Sequence, residues 1–541
     1  MSCRWPRGYC RTSWDNPSRS PDGPNVVWSL ASILLALVVI TPAWAQATRG
    51  SDAGLHRAEQ QISAGDLPGA RDSLERLAAE RPDDVRVNYL LGVVAEHENR
   101  LPEAVEQYRR VVKAAPDEAL AWDRLGFVQG RLGRTADAIS HFEKAAALDP
   151  NLFDAQYHLG ATKWWTKDFR GALPALRSAV ALDPKHPEAR YYFGVTLKET
   201  GELQAALEAL EAAATLGPGL PLVHLQLGLA RREVGDMDGA VAAIERAAAL
   251  DADNRDAQHA LALTLVQKGE WREAEARLTR LVQQDATDSV ARLNLGYSQL
   301  QRGNLRGAIA TFQELVEQDP QNAEAFYNLG MALKQRDEFD DAERALSRAK
   351  ALDPTLPEAP YTLGVVLWQT GRLEEAVREF DQALAVDPQM ADAHYMRGTV
   401  LRQLGRLEDA IAAFRRAAQL RPTSAETYLS LGQALQQQRD ATGAANAFAE
   451  AKRLNERKTD AQASTFAVGV GREKLKQRDI AGAITQFREA IRLAPANPQA
   501  HYQLALVLRL RGRDDEARKH FEEARRLAPY LKPPGDGRVT R

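Results

Sequence analysis

The chain has 541 residues, with 70 Lys and Arg against 73 Asp and Glu, a formal net charge of −3, and only two cysteines, Cys3 and Cys10. So even a balance gives nucleic acid no footprint, because that binding needs a strongly basic face. With no cysteine after Cys10, the body of the chain holds no disulfide, thiolate metal site or cysteine nucleophile.

The leader, 1–45, places Arg4, Arg7, Arg11 and Arg19 ahead of an apolar run, 26–40, which closes in Thr41-Pro42-Ala43-Trp44-Ala45 before Gln46. A positive front, an apolar core and an A-x-A site form the order of a signal peptide of bacterial type, here with a long front end. The competing reading is an uncleaved N-terminal anchor, because residues 26–45 just suffice to cross a bilayer. In both readings the positive charge before the run puts the remainder on the exported side. The expected location is therefore the periplasm or cell envelope, with membrane contact only through such an anchor.

From residue 51 onward alanine recurs every 34 residues, at Ala70, Ala104, Ala138, Ala172, Ala206, Ala240, Ala274, Ala308, Ala342, Ala376, Ala410 and Ala444, then after a five-residue slip at Ala483 and Ala517. A fixed period of this length marks one supersecondary unit stacked many times. Twelve positions before each alanine sits a small residue, such as Gly126 or Gly398, which lets two helices approach closely. Between the two come Gly65, Asn99, Gly133, Gly201, Gly235, Gly269, Gly303, Asp337, Gly371, Gly405 and Gly512, residue types that tolerate the left-handed conformation ending a helix. Apolar residues at helical spacing follow, as in Ala138, Phe142 and Ala145, and proline closes most units, as at Pro150 and Pro422.

Trp122, Leu125, Gly126, Ala138, Phe142, Ala145 and Pro150 show the pattern in full, and on these residues the unit resembles the tetratricopeptide repeat. The resemblance implies an all-α solenoid, a right-handed superhelix of about fourteen 34-residue helix-turn-helix units whose first helices line a concave, partner-binding groove. The expected division is repeats 1–12 over 51–458, a five-residue insertion at 459–463, repeats 13 and 14 over 464–531, and a polar tail, 532–541. Ala252, Ala286 and Glu456 stand where proline is expected. At the last of these the second helix of repeat twelve is expected to run on through Arg457 and Asp460, changing the superhelical phase.

No constellation for chemistry appears. The ten histidines form neither H-E-x-x-H nor pairs one turn apart, and each reads as an ordinary surface or packing residue. Asp251, Asp253 and Asp256 fail as a calcium loop, with Asp256 at the glycine position and Ala262 at the glutamate position. Neither a metal nor a cofactor is expected. The tail leaves no room for a catalytic domain, so a non-enzymatic protein is expected.

In the family, positions two, five, nine, twelve and thirteen of each unit face the groove. Carried onto this sequence, they give one aromatic patch of Tyr157, Trp164, Trp165 and Tyr191, and a second of Tyr327, Tyr361, Trp368 and Tyr395. Rings with an apolar face and a polar tip are favoured anchors, so both patches are candidate partner sites. The competing reading of the tyrosines is packing between neighbouring first helices. Acids at position two, such as Glu188 and Glu324, complement helix N-termini, each contributing roughly 0.3–1 kcal/mol. Apolar residues at position nine, such as Val195 and Val365, favour extended peptides or amphipathic helices as ligands.

The function expected from all this is a protein-interaction scaffold of the cell envelope. Two alternatives stand beside it: the substrate-selecting or regulatory subunit of a separately encoded enzyme such as a glycosyltransferase, and a self-associating structural protein.

Overall fold

The computed structural model describes residues 53–529 and residue 531. The leader with its apolar run and A-x-A site, and the tail 532–541, lie outside the described residues. Within them the chain forms twenty-seven α-helices and no strand, an all-α helical-repeat solenoid. No described helix is long and apolar enough to cross a membrane.

The chain divides into two compact units, Met1–Asp285 and Ala286–Arg541. In each, helices of about thirteen and fourteen residues alternate, as in Ala119–Arg131 followed by Thr135–Leu148, and Ala391–Gln403 followed by Leu407–Leu420. The first helix of a pair is usually the more buried. Its neighbours on either side are the second helix of its own pair, that of the preceding pair, and the adjoining first helices.

Local chemistry explains why these segments begin and end where they do. Many second helices open on an Asp or Asn whose side chain accepts the N–H of a glycine three residues on, as Asp168 does from Gly171 and Asp440 from Gly443. Between the helices of each pair one residue takes the left-handed conformation. All eleven residues singled out in the sequence do so, and Lys167, Arg439 and Arg478 complete the series at φ of 64°, 69° and 63°.

At the close of a pair, aspartate turns the chain: Asp149 leaves the helix in an extended conformation and its carboxylate accepts the N–H of Asn151 at 2.9 Å, with Pro150 between them. The same turn recurs at Asp183, Asp319, Asp353 and Asp387.

In each unit the core sets rings or branched aliphatic side chains over glycines. Phe142, Phe312, Phe380, Phe414 and Phe487 are wholly buried. A Cβ added to Gly126 would lie 2.8 Å from the Phe142 ring, so the missing side chain is what admits the ring. Burying each such side chain contributes about 1.5–3 kcal/mol.

One junction departs from this plan. Where repeats twelve and thirteen meet, a single helix, Ala441–Lys476, runs for 36 residues through Arg457 and Asp460. Residues 459–463, expected as an insertion separating two repeats, are helical and continuous with both. The reason lies in the absent turn: Asn455 and Glu456 replace the Asp-Pro pair, nothing in the following residues forbids a helix, and Thr459 Oγ1 donates to the Asn455 carbonyl at 3.0 Å, one turn back.

Candidate protein-docking surface

Counting from the first residue of each first helix, position five packs against positions two and six of the next repeat. Tyr395 shows this: its hydroxyl donates to Glu426 at 3.0 Å and lies 3.4 Å from Ser430 Oγ. The side chain at position six of the following repeat therefore contributes to how much of a position-five ring stays open.

In the first expected patch the rings close on one another. Tyr157 and Tyr191 are only 7 % and 9 % exposed. Tyr192, at position six of its helix, covers Tyr157 with ring centroids 6.1 Å apart and meets Tyr191 edge-on at 5.1 Å. Trp164 stands over the same group, 5.0 Å from Tyr192 and 6.4 Å from Tyr191, with its indole Nε1 buried and unpartnered. Trp165 is half-buried against the cluster. Burial pushes the Tyr157 and Tyr191 hydroxyls well above the usual phenol range.

The second patch is open by comparison. Tyr327, Tyr361, Trp368 and Tyr395 are all half-buried, each resting on the core of the second unit rather than on one another. Tyr361 and Tyr395 lie over Phe380 and Phe414, with centroids 5.9 and 5.8 Å away. Trp368 Nε1 donates to Gln403 of the next first helix at 3.0 Å. Partial burial raises the Tyr361 hydroxyl to about 12 and moves that of Tyr395 upward too. Nearby, desolvation drives the Glu324 carboxyl up and the Lys334 ammonium down, both toward their neutral forms. The four residues form a staircase of amphipathic rings at positions five and twelve of three consecutive first helices.

Sequence reading missed a buried ionic cluster in the first unit. Asp123, wholly buried, accepts from His158 Nδ1 at 2.9 Å, and Arg124 lies 3.7 Å from Glu96, whose other oxygen accepts the Tyr108 hydroxyl at 3.0 Å. Burial pushes the His158 imidazole down, but the charge and hydrogen bond of Asp123 outweigh it, and the net shift is upward. The available signal was an acid at position five, Asp123, and another at position twelve, Glu96, where other repeats carry tyrosine and a basic residue. The structure also joins two histidines from different helices, His501 and His520, with Nδ1 atoms 3.0 Å apart. Among the described residues no group of three or more potential ligands is placed to hold a metal ion.

Family models for the tetratricopeptide repeat match residues 57–119, 166–221 and 471–531, 232–294, and 119–152. A model for the C-terminal domain of cilia and flagella-associated protein 70 matches residues 277–468. No curated protein matches the chain. Among solved structures it is similar to MamA at 27 % identity, over 30 % of this chain and 96 % of that one, with a TM-score of 0.30. It is similar also to YrrB, described as a TPR protein with an unusual peptide-binding site, at 24 % identity over 35 % and 96 %, with a TM-score of 0.33. The Cut9-Hcn1 complex of the APC/C matches at 15 % identity over 83 % and 95 %, with a TM-score of 0.31.

Proposed function

The chain belongs to the tetratricopeptide repeat proteins, and from that premise we propose that it is a non-enzymatic scaffold of the cell envelope that holds extended or helical segments of partner proteins along its first helices. The observation that carries the reading is the half-buried staircase of Tyr327, Tyr361, Trp368 and Tyr395. Rings in this state offer area at small entropic cost, because packing on Phe380 and Phe414 already fixes them. Their hydroxyls and indole N–H give direction to a ligand held mainly by apolar contact. The desolvated Glu324 and Lys334 suit a segment of low charge at the same place.

Export to the envelope rests on the leader alone, with its arginines, apolar run and A-x-A site. The test is photo-crosslinking from position 368 in a native membrane fraction, followed by mass spectrometry. Capture of envelope proteins, lost on combining Tyr361→Ala, Trp368→Ala and Tyr395→Ala at unchanged helicity, supports the proposal. Equal capture by that variant overturns the docking surface, and capture of a single catalytic subunit overturns the scaffold in favour of a regulatory arm.

A further inference from the structure

The long helix Ala441–Lys476 leaves two surfaces without the neighbours that the same surfaces have elsewhere in the chain. On the repeat-twelve side, Leu429 at position five is 46 % exposed, while its counterparts Leu293, Tyr191, Tyr157 and Tyr89 are buried and Tyr327, Tyr361 and Tyr395 half-buried. Phe448, equivalent to the wholly buried Phe380 and Phe414, is only half-buried. Leu429, Phe448, Ala451, Lys452, Asn455, Glu456, Thr459 and Asp460 line an open groove of about 660 Å³, the place a following first helix occupies at an ordinary junction.

On the repeat-thirteen side, Phe466 stands at position three and is 75 % exposed. At that position Ala155, Ala189, Ala325, Ala359 and Ala393 are wholly buried. These two surfaces are the two halves of the interface that every other junction closes. One copy cannot close it on itself, because its halves sit on a single continuous helix about 54 Å long, with centres roughly 33 Å apart.

Phe448 and Phe466 are eighteen residues apart, five turns of about 3.6 residues, and so lie on one face of the helix with the groove-lining residues between them. We propose that a second copy of this chain fills the groove: two long helices pair antiparallel about a two-fold axis near Asp460, and each copy's repeats thirteen and fourteen stack on its partner's repeat twelve. At ordinary junctions the residue after the second-helix ring meets position seven or eleven of the next first helix, as Asp381 meets Arg397 and Glu143 meets Lys163, and the same register sets Ala449 opposite residues 470–474 of the second copy.

Ordinary neighbours in this fold already run antiparallel, so the exchange reproduces the recurring packing between chains instead of within one. Gly469, at position six, falls three residues after Phe466 on the same helix. A Cβ built there meets nothing within 4 Å, so the second copy's Leu429 finds space beside a ring larger than the usual alanine.

The pairing of position five with position six, seen at Tyr395 with Ser430 and Asp123 with His158, supplies the test. In the full chain with Cys3→Ser and Cys10→Ser, the double variant Leu429→Cys, Gly469→Cys is oxidised and run on a non-reducing gel. The wild-type chain is sized in parallel by light scattering. A covalent dimer that collapses on reduction, with a wild-type mass twice that of one chain, is the expected result.

A disulfide within one chain means that the junction closes on itself, and monomers without any disulfide mean that both faces stay open; either overturns the proposal. Phe466→Asp changes only an exposed side chain. It is expected to raise the dimer dissociation constant at least tenfold at unchanged helicity, and an unchanged constant overturns the proposal as well.

Discussion

Tyr157 and Tyr395 occupy the same place in their repeats, yet one is core and the other is surface. Tyr192 from the next repeat caps Tyr157, whereas the next repeat brings to Tyr395 the small hydroxyl of Ser430 and a glutamate. The residue types that read alike in the sequence therefore divide into a structural cluster in the first unit and a half-open stripe in the second. For this pair the difference lies in the neighbour 35 residues further along the chain, Tyr192 or Ser430, not in the tyrosine itself.

The largest effect that breaks this comparison comes from the core side. Tyr192→Ala removes a ring that touches Tyr157, Tyr191 and Trp164 and is expected to cost about 3–5 kcal/mol, read from chemical denaturation of the first unit. A loss under about 1 kcal/mol, in the range of an ordinary surface change, would show the cluster to be loosely held.

Trp368→Ala is the counterpart on the open side. It is expected to weaken partner capture about tenfold, equivalent to about 1.4 kcal/mol, while stability changes by less than that. If stability falls as far as in Tyr192→Ala, the stripe is core and the contrast fails.

A third measurement uses pH, because only the first unit carries the His158–Asp123 pair. The His158 pKa is higher folded than unfolded, so its contribution is complete below the unfolded value near 6.5 and is lost as pH rises through the folded value. Melting of the first unit is expected to fall over that window above pH 6.5, and Asp123→Asn to flatten the dependence. A dependence unchanged in Asp123→Asn would assign it to other groups.

The smallest effect lies in the turns. Lys167→Gly relieves a left-handed lysine beside the first cluster and is expected to stabilise by about 0.5–1 kcal/mol. Asp337→Gly, beside the second, should gain less, because aspartate visits that conformation more readily. Equal gains in thermal melts would mean that residue type does not matter at this turn.

Much of the fold could be read from the chain, because period, small residues and closing prolines are properties of single positions. The eleven left-handed residues that are Gly, Asn or Asp announced themselves. Lys167, Arg439 and Arg478 did not, since there the turn geometry is imposed by the helices on either side and the residue type merely endures it. The helical run through Arg457 followed from a missing proline. The state of the candidate site was less legible. Burial of Tyr157 depends on Tyr192 from the next repeat and that of Tyr191 on Tyr192 and on Trp164 of the preceding repeat, and the Glu96–Arg124 contact joins residues of no recognised motif across two first helices.

The 36-residue helix also governs how the second unit comes apart. A linear array melts as one body only while each member reports to the next through shared surface. Across 455–463 a monomer has exposed side chains and hydrogen bonds within one helix to carry that message, so its last two repeats should melt in a transition of their own. Once a second copy supplies the missing surface, cooperativity would pass between chains, and the temperature at which the tail end unravels would rise with protein concentration.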